Sequence, residues 1–193
     1  MKIGFITSGV FFVLMLSMAA CKKYEPVLPP DIKMNSDPVQ RYRATLKLVG
    51  APGPLRVRAK VGYGIKNNYS CVPIDSRRSF GGSRPYFQED IEFDVRNVGG
   101  DVYEFSYYDD AIKDEDYYGM GLCNWSSSPI FIINIRGVAY SVGQPRSVGL
   151  GDEYRMVCDI LSRNRHGNCV AEAYAEKISS DSVFYPTMIV VKE

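Results

Sequence analysis

The feature that most constrains the fold of this chain is a regular alternation of apolar and polar residues. Tyr42, Ala44, Leu46 and Leu48 alternate with basic or hydroxyl side chains, and after the turn GAPGP the pattern resumes over residues 55–61. Period-two alternation indicates strands with one buried face and one face in solvent. Because a Gly/Pro turn joins the two runs, they are predicted to pair as a hairpin with apolar residues opposite apolar residues.

The same reading predicts further strands over residues 90–96, 102–108, 130–135, 138–142, 154–158, 169–173 and 187–192. The run 130–135 is almost continuously apolar, as in a central strand, and Gly137 suggests a bulge. About eight short strands, Gly/Pro turns and no convincing amphipathic helix predict an all-β fold, a two-sheet antiparallel sandwich over residues 41–193. A small barrel is the competing architecture.

Six basic side chains share the outer face of the first two predicted strands. They could form a patch for acidic lipid head groups. Alternatively, they could face a neighbouring acidic strand, and Asp90, Glu92 and Asp94 supply one. Cross-strand charge pairs are normal in sheets, which favours the second interpretation.

Four cysteines follow residue 21, and an even number in an exported chain predicts two disulfides with three possible connectivities. If Cys158 lies directly opposite Cys169, Met156 faces Ala171, Val157 faces Val170 and Arg155 faces Glu172. Both faces of such a hairpin then pair apolar with apolar residues or a basic with an acidic residue. The sequence therefore predicts a Cys158–Cys169 bond. The remaining bond is then Cys71–Cys123. Trp125 is expected in the core near it.

The first twenty residues are typical of a secretory signal. Lys2 precedes a run over 3–18 without an ionisable side chain, and Ala19 and Ala20 close it. At roughly 16 residues, the run is shorter than the about 20 that a spanning helix needs.

The end of this segment, LSMAAC over residues 16–21, resembles the lipobox of bacterial lipoproteins, with Met18 where that family usually has Leu. The resemblance implies that Cys21 becomes the first residue and carries a diacylglycerol on its thiol and an acyl chain on its amine. A single acyl chain holds a protein only reversibly on a bilayer, so several chains are needed. Lys22 resembles an outer-membrane sorting signal, on the periplasmic side, with the inner membrane as the alternative.

Residues 21–40 are predicted to be a lipidated, flexible tether. Residues 22–40 contain four prolines and little hydrophobic pattern. At about 3 Å per residue, such a segment could hold the domain up to about 50 Å from the lipid.

Composition argues against several function classes. The whole chain has 23 basic and 22 acidic residues, and removal of the signal takes away Lys2, so the mature charge is zero and no net field favours nucleic acid. The lone histidine, His166, falls in the predicted turn between Cys158 and Cys169, and no nucleophile, phosphate-loop or zinc motif is present. The sequence therefore predicts no enzyme, no cofactor and no metal site.

The unusual segment is 107–123, where tyrosines are interleaved with acidic residues. As a calcium loop it lacks the alternate oxygen ligands and the closing Glu. It could be a solvated loop whose tyrosines fold back on the sheet. It could also be a protein-binding epitope, because tyrosine offers large contact area and carboxylates speed encounter with a basic partner. The epitope would consist of Tyr107, Tyr108, Asp109, Asp110, Asp114, Asp116, Tyr117 and Tyr118.

The run DYYGMGLCNW over residues 116–125 resembles one in small, mostly uncharacterised proteobacterial lipoproteins. Some of these are thought to be immunity partners of secreted toxins that attack the cell envelope. The resemblance implies a lipid-anchored, periplasm-facing protein that binds and inhibits such a toxin. The alternative is a structural or accessory lipoprotein of an envelope or secretion-system complex.

Overall fold

The computed structural model of the protein describes residues 26–77, 81–145, 147–160, 166–178 and 182–193. The predicted signal peptide and the predicted lipidation site, Cys21, lie outside these described residues. No helix within the described ranges is long and apolar enough to cross a membrane.

The described residues form ten strands and little helix. The strands are β1 (Arg41–Val49), β2 (Leu55–Ile65), β3 (Gln88–Phe93), β4 (Arg96–Gly99), β5 (Val102–Tyr108), β6 (Trp125–Ile135), β7 (Val138–Gly143), β8 (Tyr154–Asp159), β9 (Asn168–Ala171) and β10 (Val183–Lys192). A single helical turn, α1 (Asn68–Cys71), follows β2, and a 3₁₀ helix (Glu172–Lys177) follows β9.

Two antiparallel sheets enclose the core. One has the order β4-β5-β1-β10-β8-β9 and the other the order β3-β2-β6-β7. Alternate residues of facing strands are buried, and the Phe105 ring of β5 meets the Phe131 ring of β6 edge-on at 5.0 Å between centroids. Full burial of such a large side chain contributes about 1.5–3 kcal/mol. The predicted all-β, two-sheet sandwich is confirmed.

The predicted hairpin between the first two strands is wrong. β1 pairs with β5 and β10, whereas β2 pairs with β3 and β6, so the turn at residues 50–54 carries the chain from one sheet to the other. The alternation determines which face of each strand is buried. It is equally well satisfied by two strands that face each other across the core, so it does not determine the pairing.

The predicted strand over 90–96 is divided in the same way. It forms the end of β3 in one sheet and the start of β4 in the other, with Asp94 and Val95 between them. β4 and β5 form a hairpin that turns at Gly100 and Asp101.

The outer-face charges have two sets of partners. On β2, Lys60 lies 2.6 Å from Asp90 and Arg58 lies 3.8 Å from Glu92, which confirms the predicted acidic neighbour for this strand. On β1, Arg41 and Arg43 instead pair with Glu193 at 3.0 and 2.9 Å. Exposed pairs of this kind contribute about 0–1 kcal/mol each.

The central strand predicted over 130–135 is confirmed as part of β6, which lies between β2 and β7. The bulge predicted at Gly137 is wrong. Arg136 and Gly137 form the tight turn of the β6–β7 hairpin, with φ of 52° and 87°, because a two-residue hairpin that follows the strand twist needs positive φ at both positions.

Both predicted disulfides, Cys71–Cys123 and Cys158–Cys169, are present. In the β8–β9 hairpin Cys158 is opposite Cys169, Val157 is opposite Val170 and Met156 is opposite Ala171, as predicted. The further pairing of Arg155 with Glu172 is wrong as a strand pairing, because the chain enters the 3₁₀ helix at Glu172.

Residues 26–40, which we call the N-terminal strap, lie against the domain. Val27 and Ile32 pack on the core, and Met34 forms a bridge with Ile112. The Asn35 backbone N–H donates to the Ala111 carbonyl at 2.8 Å. From residue 26 onward, the segment predicted as a tether therefore follows the protein surface, because backbone and side-chain partners are available there.

Candidate partner-binding surface

The acidic and aromatic segment 107–123 begins in β5 and ends at Cys123, two residues before β6. The structure brings all eight predicted epitope residues to one end of the sandwich. Their side chains differ greatly in accessibility, however, and fall into two groups: tyrosines that are wholly or partly buried, and aspartates that cap backbone N–H donors.

The two tyrosines that end β5 differ in burial, since Tyr107 is buried and Tyr108 is half-buried. Tyr107 is 3% exposed, and its ring stacks on that of Tyr42 at 5.8 Å. Burial raises the pKa of the Tyr107 hydroxyl. The backbone carbonyl of half-buried Tyr108 accepts the hydroxyl of buried Tyr63 at 2.7 Å. Tyr107 in particular offers almost no contact area to a partner.

Asp109 and Asp110 cap backbone N–H groups of neighbouring segments. The Asp109 carboxylate accepts the backbone N–H of Ser127 at 3.0 Å and also the Ser127 hydroxyl. The Asp110 carboxylate accepts the N–H groups of Val39 and Gln40 at 3.0 and 2.9 Å. Each side chain thus supplies an acceptor to donors that regular secondary structure leaves unpaired.

Asp114 and Asp116 organise the second half of the loop in the same way. The Asp114 carboxylate accepts the Trp125 N–H at 2.8 Å and the Asn124 side-chain amide at 2.7 Å. The Asp116 carboxylate accepts the Met120 N–H at 2.9 Å. Asp114 therefore fixes the start of β6, while Asp116 closes the turn that carries the most exposed part of the loop.

Tyr117 and Tyr118 fold back on the domain. The Tyr117 hydroxyl donates to the Lys113 carbonyl at 2.6 Å, and its ring meets Trp125 edge-on. The Tyr118 hydroxyl donates to the Leu28 carbonyl of the strap at 2.9 Å, and its ring stacks on Phe87. Burial raises the pKa of Tyr118 to about 12. Trp125 is buried, as predicted.

The strap and the loop also share an ion pair. The Lys33 ammonium lies 2.5 Å from the Glu115 carboxylate. This hydrogen bond lowers the pKa of Glu115 and raises the pKa of Lys33. Both side chains are accessible to solvent, so the pair orients the strap more than it stabilises the fold.

The exposed part of the loop runs from Gly119 to Leu122. Gly119 and Gly121 have positive φ, which glycine adopts without strain, so the chain turns tightly there. Leu122 is 54% exposed and Met120 is also exposed, and Tyr69 of α1 is 82% exposed. We call Tyr69, Met120 and Leu122 the tip surface.

The tip surface is held rigidly. The Cys71–Cys123 disulfide joins α1 to the end of the loop. The Asn67 side chain donates to the Leu122 carbonyl at 2.8 Å and accepts the Asn124 N–H at 2.7 Å. Sequence reasoning missed all three tip residues. Their position beside disulfide cysteines is the one signal that could have found them.

A cavity of about 360 Å³ lies between the sheets at the same end of the domain. Tyr42 and Tyr107 contribute from one sheet and Ser127 from the other, with Asp109 and Leu150 at its sides. Its described lining residues include no Lys or Arg.

Other chemistry in the described part of the chain is sparse. His166 is exposed and lies in a bridge with Ala139, near the end of the β8–β9 turn. Among the side chains that the structure describes, no group of three or more His, Cys, Asp or Glu is arranged to hold a metal ion.

Comparison of the chain with protein-family models, with curated proteins and with solved structures finds no match.

Proposed function

We propose that the protein is a lipid-anchored, periplasm-facing binding protein. In its most concrete form it is an immunity protein that binds and inhibits a secreted toxin directed at the cell envelope. The observation that carries the proposal is the combination, in one chain, of the lipobox-like end at Cys21 with a rigid, exposed aromatic and apolar surface. No catalytic step is part of the proposal.

The location is supported by the sequence and by the disulfides. The LSMAAC run favours lipidation of Cys21, and Lys22 favours the outer membrane, with the domain on the periplasmic side. The two disulfides suit an oxidising compartment such as the periplasm. Membrane attachment would require no spanning segment, because several acyl chains anchor a protein by themselves.

The tip surface is the best candidate for partner contact. Aromatic residues and Met are enriched at interface centres, and a few such residues usually carry most of the binding energy. Because the disulfide and Asn67 already fix the loop, little conformational entropy would be lost on binding. Asp116, at the edge of this surface, adds a negative charge that favours a basic partner.

The predicted epitope residues keep a role under this proposal, but mostly an indirect one. Asp109, Asp110 and Asp114 hold the loop through backbone donors, and Tyr117 and Tyr118 pack beneath it. Replacing all the aspartates by alanine would therefore loosen the loop as well as remove charge. Such a variant would not separate contact from scaffold.

The experiment that tests the proposal is co-purification of crosslinked partners from native envelopes. Tyr69→Ala and Leu122→Ala should each reduce recovery of the partner about ten-fold or more, which corresponds to about 1.4 kcal/mol or more. Tyr185→Ala is the matched control, since Tyr185 is an exposed tyrosine on β10, away from the tip. Full recovery with both tip variants would refute the tip surface as the contact.

The identity of the captured protein separates the two functions. A secreted hydrolase whose activity falls on stoichiometric addition of this protein supports immunity. Recovery of subunits of an envelope or secretion complex, without a secreted hydrolase, supports the accessory-lipoprotein alternative. Recovery of neither class from native envelopes contradicts both.

A further inference from the structure

The N-terminal strap is fastened along its whole described length. At one end the Asp110 carboxylate accepts two of its backbone N–H groups, and the Lys113 N–H donates to the Lys33 carbonyl at 2.9 Å. At the other end Val27 packs on the core, and its backbone N–H donates to the Asp75 carboxylate. The Tyr118 hydroxyl holds the Leu28 carbonyl beside it. The chain is therefore held by the domain from residue 27 onward.

This attachment shortens the reach of the anchor. Only six peptide links separate Cys21 from Val27, and a fully extended chain of that length spans about 20 Å. A free tether over 21–40 would instead allow about 50 Å. If Cys21 lies at the bilayer surface, the end of the domain that holds Val27 must lie close to that surface too.

The residues at this end are suited to a lipid surface. Ile74, next to Asp75, is 54% exposed, and Leu28 is exposed as well. Arg77, whose guanidinium lies 3.3 Å from the Asp75 carboxylate, keeps about half of its side chain in solvent. Lys22 and Lys23 follow the anchor in the sequence. Basic side chains near an anionic membrane surface are attracted to it.

We propose that the end of the domain formed by Leu28, Ile74 and Arg77 rests on the phospholipid bilayer that holds Cys21. The proposal rests on the proposed function in one respect, the lipidation of Cys21. Tyr118, which holds Leu28, lies two residues before Met120, so the tip surface is at this same end. A partner bound there would be held close to the membrane.

The test uses the full-length lipidated protein in vesicles of phosphatidylethanolamine and phosphatidylglycerol. A photoreactive benzoylphenylalanine replaces Ile74 in one sample and Val49 in the other. Val49 is the matched control, because it is a similarly exposed apolar residue, 49% against 54%. It lies at the far end of β1, which starts at the strap and runs about 27 Å to it.

After illumination, phospholipid adducts are measured by mass. The expected result is an adduct yield several-fold higher at residue 74 than at residue 49, and a fall at residue 74 when a Gly/Ser spacer is inserted after Lys23. Equal yields, a higher yield at residue 49, or adducts at residue 74 only with other copies of the protein would overturn the proposal.

The anchor itself is checked in the same samples. Flotation with the vesicles and an acyl mass on Cys21 must be present, and Cys21→Ser must abolish both. Loss of flotation in the unmodified sequence contradicts the proposed function. Flotation without the difference between residues 74 and 49 contradicts the orientation alone.

Discussion

Removal of the Cys71–Cys123 bond should be the most damaging single change to both the stability of the domain and the tip surface. Both cysteines are buried and 52 residues apart in sequence. By the chain-entropy estimate, a closed loop of this length contributes about 4 kcal/mol. For a domain of this size, a loss of that magnitude corresponds to a fall in Tm of about 8–16 °C.

The assay compares two double variants, each of which avoids a free thiol. Cys71→Ala with Cys123→Ala should lower the free energy of unfolding by about 4 kcal/mol, measured by denaturant titration. Cys158→Ala with Cys169→Ala opens a loop of 11 residues' separation and should cost about 3 kcal/mol. The first pair should also weaken partner recovery through the tip, whereas the second should leave it unchanged.

The reasoning would be refuted by the opposite order. If the Cys158/Cys169 pair cost more stability, closure of the longer loop would not be the dominant effect. If the Cys71/Cys123 pair left hydrogen exchange of residues 119–124 unchanged, the disulfide would not be what makes the tip rigid.

Two further predictions concern the strap and the loop. Asp110→Ala should lower the free energy of unfolding by about 1–2 kcal/mol, because two partly exposed backbone N–H groups lose a charged acceptor. The control is Asp37→Ala, which also lies in the strap region. Equal losses of stability in the two variants would contradict the capping role of Asp110. Because burial raises the pKa of Tyr118 to about 12, above the value near 10 of an exposed tyrosine, the Tyr118 contact should be complete below pH 10 and be lost as the pH rises through about 12. Tyrosinate absorbance of Tyr118→Phe should lack part of the late-titrating signal, and an unchanged titration curve would count against the buried hydroxyl.

The sequence predicted most where two constraints coincided. In the β8–β9 hairpin, opposing cysteines fix the register, and the neighbouring pairs agree with it on both faces. For β2 and β3, apolar alternation and opposite charges at Lys60 and Asp90 pointed to the same neighbour. Each of these pairings is confirmed because an incorrect register would have broken two independent patterns at once.

The sequence predicted least where one pattern of apolar and polar residues was compatible with several strand pairings. β1 and β2 show the same alternation, but nothing in it distinguishes a hairpin from two strands that face each other across the core. The default that sequential strands pair gave the wrong sheet for one of them. The short link at Asp94 and Val95, where the chain changes sheets, gives no signal in the sequence either. The alternation of apolar and polar residues does not say which sheet a strand joins.

The loop within segment 107–123 shows a second limit of prediction from sequence. Its charge and its tyrosines are plain in the sequence, but whether an aspartate faces solvent or caps a backbone N–H depends on which donors the fold leaves unpaired nearby. Asp110 caps the strap and Asp114 caps the start of β6, and neither donor set could be located before the fold was known. Tyr69 and Leu122 belong to no charge cluster or binding motif, so their exposure follows only from the course of α1 and of the loop.

The central claim is that a lipid on Cys21 holds a disulfide-bonded domain at the membrane. The most direct test is the intact mass of the native protein extracted from cell membranes, with and without alkylation under non-reducing conditions. We predict a chain that begins at Cys21, carries a diacylglyceryl group and an amide-linked acyl chain, and has no cysteine open to alkylation. An unacylated chain, or one in which the other four cysteines react, would contradict the account.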